Sequence, residues 1–158
     1  MKKVLFISST GGHFEELMKL EPLMKKYDSY IATEKIKSNL YLNEKYKNKM
    51  FYLIYGTKDH ILIYPFKLLA NCFISLYIFF KVRPDVVITT GAHTAGPMCS
   101  IGRIFGSKVI YIETFANINT KTVTGKLFYK FKIANLFIVQ WRPMLKLYKN
   151  ATYGGWIY

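Results

Sequence analysis

Six short apolar runs, near residues 3–8, 29–33, 50–54, 85–89, 108–113 and 136–139, alternate with stretches of helical spacing near 12–26, 36–46, 62–82, 95–105, 122–134 and 142–149. Alternation this regular leaves few architectures open. Parallel neighbours need a crossover long enough to hold a helix, so the pattern predicts an α/β fold, a Rossmann-like domain with a mostly parallel sheet covered by helices. Ligands in such sheets sit beyond the carboxyl ends of the strands. The chain shows no internal repeat and no low-complexity linker, and its 158 residues suffice for one core, so 1–158 reads as a single domain.

Two strand ends carry chemistry. The run Val4 to Ile7 passes through Ser8-Ser9-Thr10 into Gly11-Gly12-His13. Glycines there let the backbone approach a ligand and turn into a helix whose free N–H groups favour negative charge, and they set His13 where a proton can be transferred. The same residues also fit a tight turn with an exposed histidine. The strand ending at Ile88 leads into Thr89-Thr90-Gly91-Ala92-His93-Thr94-Ala95-Gly96-Pro97. Small residues allow several backbone N–H groups to converge on an anion such as a diphosphate, which makes Gly91, His93, Thr94 and Gly96 candidates beside Gly11 and Gly12. His93 fits a structural hydrogen bond equally well.

Charge narrows the partners. The net charge of +14 comes from twenty lysines and three arginines against nine carboxylates. Base-reading proteins rely on arginine forks, so nucleic acid is excluded as the expected partner, and anionic lipid head groups or phosphorylated ligands fit better. From Val86 onward there are nine cationic residues and a single carboxylate, Glu113, at the end of the strand Val109 to Ile112. Glu113 reads either as an ion-paired or capping residue, or as a crevice carboxylate that orients a sugar hydroxyl or takes its proton. Cys72 and Cys99 lie in apolar surroundings without metal-ligand spacing and read as reduced core residues; no metal site is expected.

Ile61 to Phe80 is twenty residues long with one charge, Lys67, which is long enough to cross a bilayer. A span would separate strands that must share one sheet. Lys67, Asn71 and Ser75 recur every fourth residue, so 61–82 reads instead as an amphipathic helix at a membrane surface. Phe79 and Phe80 would enter the lipid, while Lys58, Lys67, Lys81 and Arg83 meet anionic head groups. Burial inside the protein or against a partner is the competing reading.

The opening Thr10-Gly11-Gly12-His13-Phe14-Glu15-Glu16-Leu17, then Arg83-Pro84-Asp85 before the Gly91-to-Pro97 loop, and then Tyr111-Ile112-Glu113-Thr114-Phe115-Ala116 form an ordered set. Thr124-Gly125-Lys126, Phe137-Ile138-Val139-Gln140-Trp141, Tyr148 and Ala151-Thr152-Tyr153-Gly154-Gly155 continue it. Together these blocks resemble the Alg14 and PssD family of oligosaccharide-biosynthesis proteins; Gly-Gly-His by itself also resembles the opening of MurG-like transferases. The resemblance implies the N-terminal, acceptor-binding half of a GT-B glycosyltransferase, held at the cytoplasmic face of the cell membrane. It implies a separate Alg13-like or PssE-like chain that binds the UDP-sugar, with no other cofactor. The implied reaction is transfer of a sugar to a polyprenyl-diphosphate-linked saccharide in capsule or exopolysaccharide assembly, with no transfer by the chain alone. His13 is then the first candidate for the base and Glu113 for orienting the acceptor, or the reverse, with Gly11, Gly12 and the Gly91–Pro97 loop lining the acceptor side. Asn117 stands where relatives carry arginine, so a phosphate or partner contact there would pass to Lys121 or Lys126. Gln140 and Trp141 would belong to the sheet end or to the partner contact.

Two other classes stay open. Glu34 follows the second strand at the distance of a ribose-binding acid, as in nucleotide-dependent oxidoreductases, although Gly11-Gly12 lacks the three-glycine pattern. A non-catalytic membrane anchor or enhancer is the other.

Overall fold

The computed structural model describes residues 1–56 and 63–157. Seven strands form one all-parallel sheet: β1 (Lys3–Ser8), β2 (Asp28–Glu34), β3 (Met50–Leu53), β4 (Val86–Gly91), β5 (Lys108–Ile112), β6 (Leu136–Val139) and β7 (Thr152–Tyr153). Their order is β3-β2-β1-β4-β5-β6-β7. The chain therefore winds outward one way from β1 and the other way from β4, which puts the switch point between the two glycine-bearing strand ends. β7 was not among the expected strands. With two residues it offers no hydrophobic period to detect.

Alternation within the strands builds two cores. On β1, Val4 and Phe6 face one layer with Leu17, Met24 and Leu42, while Leu5 and Ile7 face the other with Ile78, Met98 and Phe128. The first layer is covered by α1 (Gly12–Met18), α2 (Glu21–Met24) and α3 (Leu42–Tyr46). The second is covered by α4 (Tyr64–Val82), α5 (Gly96–Ile104), α6 (Val123–Lys130) and α7 (Met144–Leu147). The helix expected over 12–26 is broken in two, because Pro22 lacks an N–H and its ring would collide with the carbonyl of Met18 in a continuous helix. The pattern over 36–46 likewise resolves into a 3-10 turn at Lys37–Asn39 followed by α3.

α4 is the unusual element. Asn71 and Ser75, two members of the polar stripe, are buried, and the Asn71 amide accepts from Ile54 N at 2.8 Å and donates to Ile54 O at 2.9 Å. β3 is an edge strand, so the backbone just beyond it needs partners that no strand supplies, and Asn71 provides them. The opposite face is apolar and exposed: Phe66, Leu69, Phe73, Tyr77 and Phe80 are all more than half exposed. Phe79 corrects the expectation. It is buried and packs 5.3 Å from the Phe105 ring, so it serves the core, whereas Phe80 remains outside. Lys67 Nζ donates to Tyr55 O at 3.1 Å, and exposed Lys81 lies 5.5 Å over the Tyr77 ring. Lys58 and Ile61 lie outside the described residues. After α4, Arg83 adopts a left-handed conformation (φ 50°), Pro84 stops the helix, and Asp85 accepts from Lys3 N at 2.8 Å, which accounts for Arg83-Pro84-Asp85 as a junction.

Candidate functional site

At the switch point, the loops after β1 and β4 are bonded to each other. Ser9 N donates to Gly91 O at 3.1 Å and Ala92 N to Ser9 Oγ at 3.3 Å. Thr90 Oγ1 donates to His13 O at 2.6 Å, and His13 Nδ1 lies 2.9 Å from Thr90 O. A carbonyl only accepts, so Nδ1 is the donor of this bond, which leaves Nε2 as the other ring nitrogen. The ring lies against Gly91, where an added Cβ would meet it at an ordinary contact distance of 3.4 Å; it is the φ of +101° that calls for glycine there. Gly11 also has positive φ, +77°, and neither it nor Gly12 or Gly96 has anything within 4 Å of an added Cβ. The crevice lining is open there.

Three carboxylates brace this end of the sheet from beneath. Glu34, 2% exposed, accepts from Thr10 N at 3.1 Å, Thr10 Oγ1 at 2.9 Å and Thr94 Oγ1 at 2.6 Å, joining the ends of β1, β2 and β4. Thr94 is thereby corrected: it is buried, and its hydroxyl is committed to Glu34 rather than to a ligand. Glu34 in turn is no free acid for a ribose, which removes the feature behind the oxidoreductase reading. Glu16 Oε1 accepts from Thr114 Oγ1 at 2.6 Å and Phe115 N at 3.1 Å, fixing the loop after β5 to α1.

Glu113 is the third, and it does not open on the crevice. It is 1% exposed and accepts from Thr122 Oγ1 at 2.9 Å, Tyr148 Oη at 2.9 Å, Tyr111 Oη at 3.2 Å and Thr114 N at 3.2 Å. Thr122 Oγ1 also accepts from Gly125 N at 2.8 Å, capping α6. Any side chain on Gly125 would overlap the Glu113 carboxylate, which explains glycine in Thr124-Gly125-Lys126. Burial and the neighbouring carboxylate hold the Tyr111 and Tyr148 phenols above their ordinary pKa, so both stay neutral donors. Neither the ion pair nor the sugar contact expected from sequence is the role found; the capping alternative is met in part by the bond from Thr114 N, and the rest of the carboxylate is satisfied by hydroxyls drawn from β5, the loop before α6, and the residue after α7. Lys121 lies 4.9 Å over the Tyr148 ring at the edge of this cluster. Gln140 Nε2 donates to Glu113 O at 3.0 Å and Trp141 Nε1 to Phe115 O at 2.8 Å, so both belong to the sheet end.

The sequence from residue 4 to residue 157 matches the model of the family described as "Oligosaccharide biosynthesis protein Alg14 like". The chain belongs to that family. A relative in Schizosaccharomyces pombe, "UDP-N-acetylglucosamine transferase subunit alg14", is 28% identical over 98% of this chain and 82% of its own length. The human protein "UDP-N-acetylglucosamine transferase subunit ALG14" is 31% identical over 57% of this chain, and the match spans 44% of the human length. Among solved structures, MurG of Acinetobacter baumannii superposes with a TM-score of 0.70 at 18% identity, covering 90% of this chain and 43% of that one. That likeness is one of fold alone, a Rossmann-like domain, and a UDP-N-acetylglucosamine 2-epimerase from Rickettsia bellii shares it with a TM-score of 0.70 at 12% identity, covering 96% of this chain and 43% of that one. Of the Alg14-like residues singled out from sequence, His13, Gly11, Gly12 and Gly91 meet at the switch point, and His93 and Gly96 begin the neighbouring turn and α5. Thr10, Glu16, Thr90 and Tyr148 stand within the quoted runs and Thr122 outside them, yet none of the five draws a role from sequence, because nothing local announces their partners.

Proposed function

We propose that this chain is the membrane-associated, acceptor-side subunit of a two-chain glycosyltransferase. Its donor substrate is a UDP-sugar, N-acetylglucosamine by the names of its relatives, bound mainly by an Alg13-like or PssE-like partner. Its acceptor is a polyprenyl-diphosphate-linked saccharide, in capsule or exopolysaccharide assembly on the cytoplasmic face of the membrane. One observation carries the reading: the His13 ring is held through Nδ1 on Thr90 O at the switch point, beside Gly11 and Gly12, whose α-carbons face open space. In an inverting displacement Nε2 takes the proton of the acceptor hydroxyl as its oxygen bonds the anomeric carbon, and the bond to the UDP oxygen breaks. The imidazolium so formed keeps its Nδ1–H on Thr90 O. Glu113 is a positioning residue in this account, holding the loop that leads to Phe115.

α4 supports the membrane part. An exposed apolar ridge beside Lys81 and Arg83 suits an anionic surface better than water. One specific observation favours a second reading, a non-catalytic anchor for the partner: the burial of Glu113 removes one of two catalytic candidates. The two separate on His13→Ala in the reconstituted pair, where loss of turnover with intact assembly supports a base and full turnover leaves an anchor.

A further inference from the structure

On the face covered by α4, α5 and α6, the three helices all begin at the carboxyl ends of the strands and leave a groove of about 590 Å³ between them. That volume falls in the usual range for small-molecule sites, about 300–1,000 Å³. Its walls are apolar along their length, with Leu68 and Leu76 from α4, Ile101 from α5, and Leu127 and Phe131 from α6. Polar character gathers toward one end. There His93 lines the groove, 5.4 Å from the Tyr64 ring, and its buried Nε2 has no hydrogen-bond partner among the described residues.

The two ends differ in what they adjoin. At the His93 end the lining includes Gly96 and Pro97, which open α5 five residues after Gly91, the residue against which His13 rests, so this is the end of the groove that belongs to the loop after β4. At the other end Ile104 and Phe131 are 77% and 64% exposed, and the α4 wall continues round the helix into the ridge of Leu69, Phe73 and Phe80. Arg103, beside Ile104 in the chain, and Lys130 and Lys132, on either side of Phe131, are exposed and bring positive charge to that end. An occupant that fills the groove is therefore long and apolar, enters from the exposed ridge, and places a hydrogen-bonding head at His93. We propose that the groove holds the first isoprenyl units of the lipid-linked acceptor, with the diphosphate at the His93 end. A single trough matches one branched chain better than the paired tails of a phospholipid. The inference rests on the acceptor-side reading of the chain, and it gives that reading a subsite.

Cys72 lines the groove and is half-buried, while Cys99 is fully buried with its thiol held neutral by desolvation, so maleimide labelling of Cys72 reports occupancy against an internal control. The full chain on phosphatidylcholine–phosphatidylglycerol nanodiscs, without partner or UDP-sugar, is labelled with and without geranylgeranyl diphosphate. The expected result is labelling slowed at least tenfold by geranylgeranyl diphosphate and unaffected by inorganic diphosphate, with protection lost in Ile101→Trp and weakened in His93→Gln. Unchanged labelling, or equal protection by added phosphatidic acid, would overturn the proposal. A diazirine analogue of geranylgeranyl diphosphate covers the case in which Cys72 reacts poorly. Its adducts must map to 64–76, 96–104 or 123–133, and adducts elsewhere contradict the assignment. Because neither assay involves sugar transfer, failure here leaves the two-chain reaction standing, and failure of transfer leaves the groove result standing.

Discussion

His13 and Thr90 hold each other twice: the threonine hydroxyl donates to the histidine carbonyl at 2.6 Å, and the imidazole Nδ1 donates to the threonine carbonyl at 2.9 Å. The pair joins the start of α1 to the end of β4 across the switch point. The backbone bond of the ring fixes its tautomer, so the two halves of the pair have separable consequences.

Thr90→Val removes only the hydroxyl bond. It should cost about 1 kcal/mol of stability, the usual net worth of one such bond, and leave the ring tautomer intact, so turnover by the reconstituted pair should fall less than about tenfold. His13→Ala should do the opposite, keeping the melting temperature within a few degrees while lowering turnover by about 100-fold or more, the contribution of a general base. Thermal melts and initial rates on the same preparations distinguish them.

Glu113→Ala should destabilise strongly, by about 3 kcal/mol or more, because Tyr111, Tyr148 and Thr122 lose the acceptor for buried hydroxyls. Gly125→Ala should match it by pushing a methyl group into the same carboxylate. Urea titration reads both, and an unchanged midpoint for either would show that the cluster does not support the fold.

Tyr111 and Tyr148 predict an alkaline limit. Folding raises both phenol pKa values above the ordinary 10.0, so the folded state keeps protons that the unfolded chain releases. Stability from this source is complete below about pH 10 and declines as pH rises beyond it, by at most about 1.4 kcal/mol per pH unit for each phenol. Urea midpoints from pH 8 to 11 should be flat and then fall, with a shallower fall in Tyr148→Phe. A midpoint that begins to drop near pH 8 would point to some other group.

Neighbouring aromatic residues on α4 should behave differently. A Phe73→Ser/Tyr77→Ser double change on the exposed ridge removes about 2 kcal/mol of burial per ring from any membrane contact, so binding to anionic vesicles should weaken at least tenfold with the melting temperature unchanged. Phe79→Ser should instead cost about 3 kcal/mol or more of stability. Vesicle co-sedimentation beside thermal melts gives both readouts, and unaltered vesicle binding by the double variant would exclude the ridge as the contact.

Much of this architecture is legible in the residues because β1, β4 and β5 are short, strongly apolar and end in residues with turn chemistry. The switch point and His13 follow from that. What local pattern hides is direction and distance. The polar stripe of α4 is visible every fourth residue, yet only the bare backbone of Ile54 at a sheet edge decides that Asn71 faces inward and the aromatic side outward. Glu113 looks solitary because it is the single carboxylate among the nine cations from Val86 onward, and that contrast invites an ion pair or a site. Its partners among the described residues are one backbone N–H and three uncharged hydroxyls, one of them 35 residues away on Tyr148. Thr94 likewise looks like a ligand contact until β2 brings Glu34 beneath it.

The most direct test of the acceptor-side assignment is transfer from UDP-N-acetylglucosamine to a polyprenyl-diphosphate acceptor, measured for this chain alone, with an Alg13-like partner, and with the partner and His13→Ala. Transfer that requires both chains and falls at least about 100-fold in the variant is the predicted result. Transfer by the chain alone, or a full rate with His13→Ala, would contradict it.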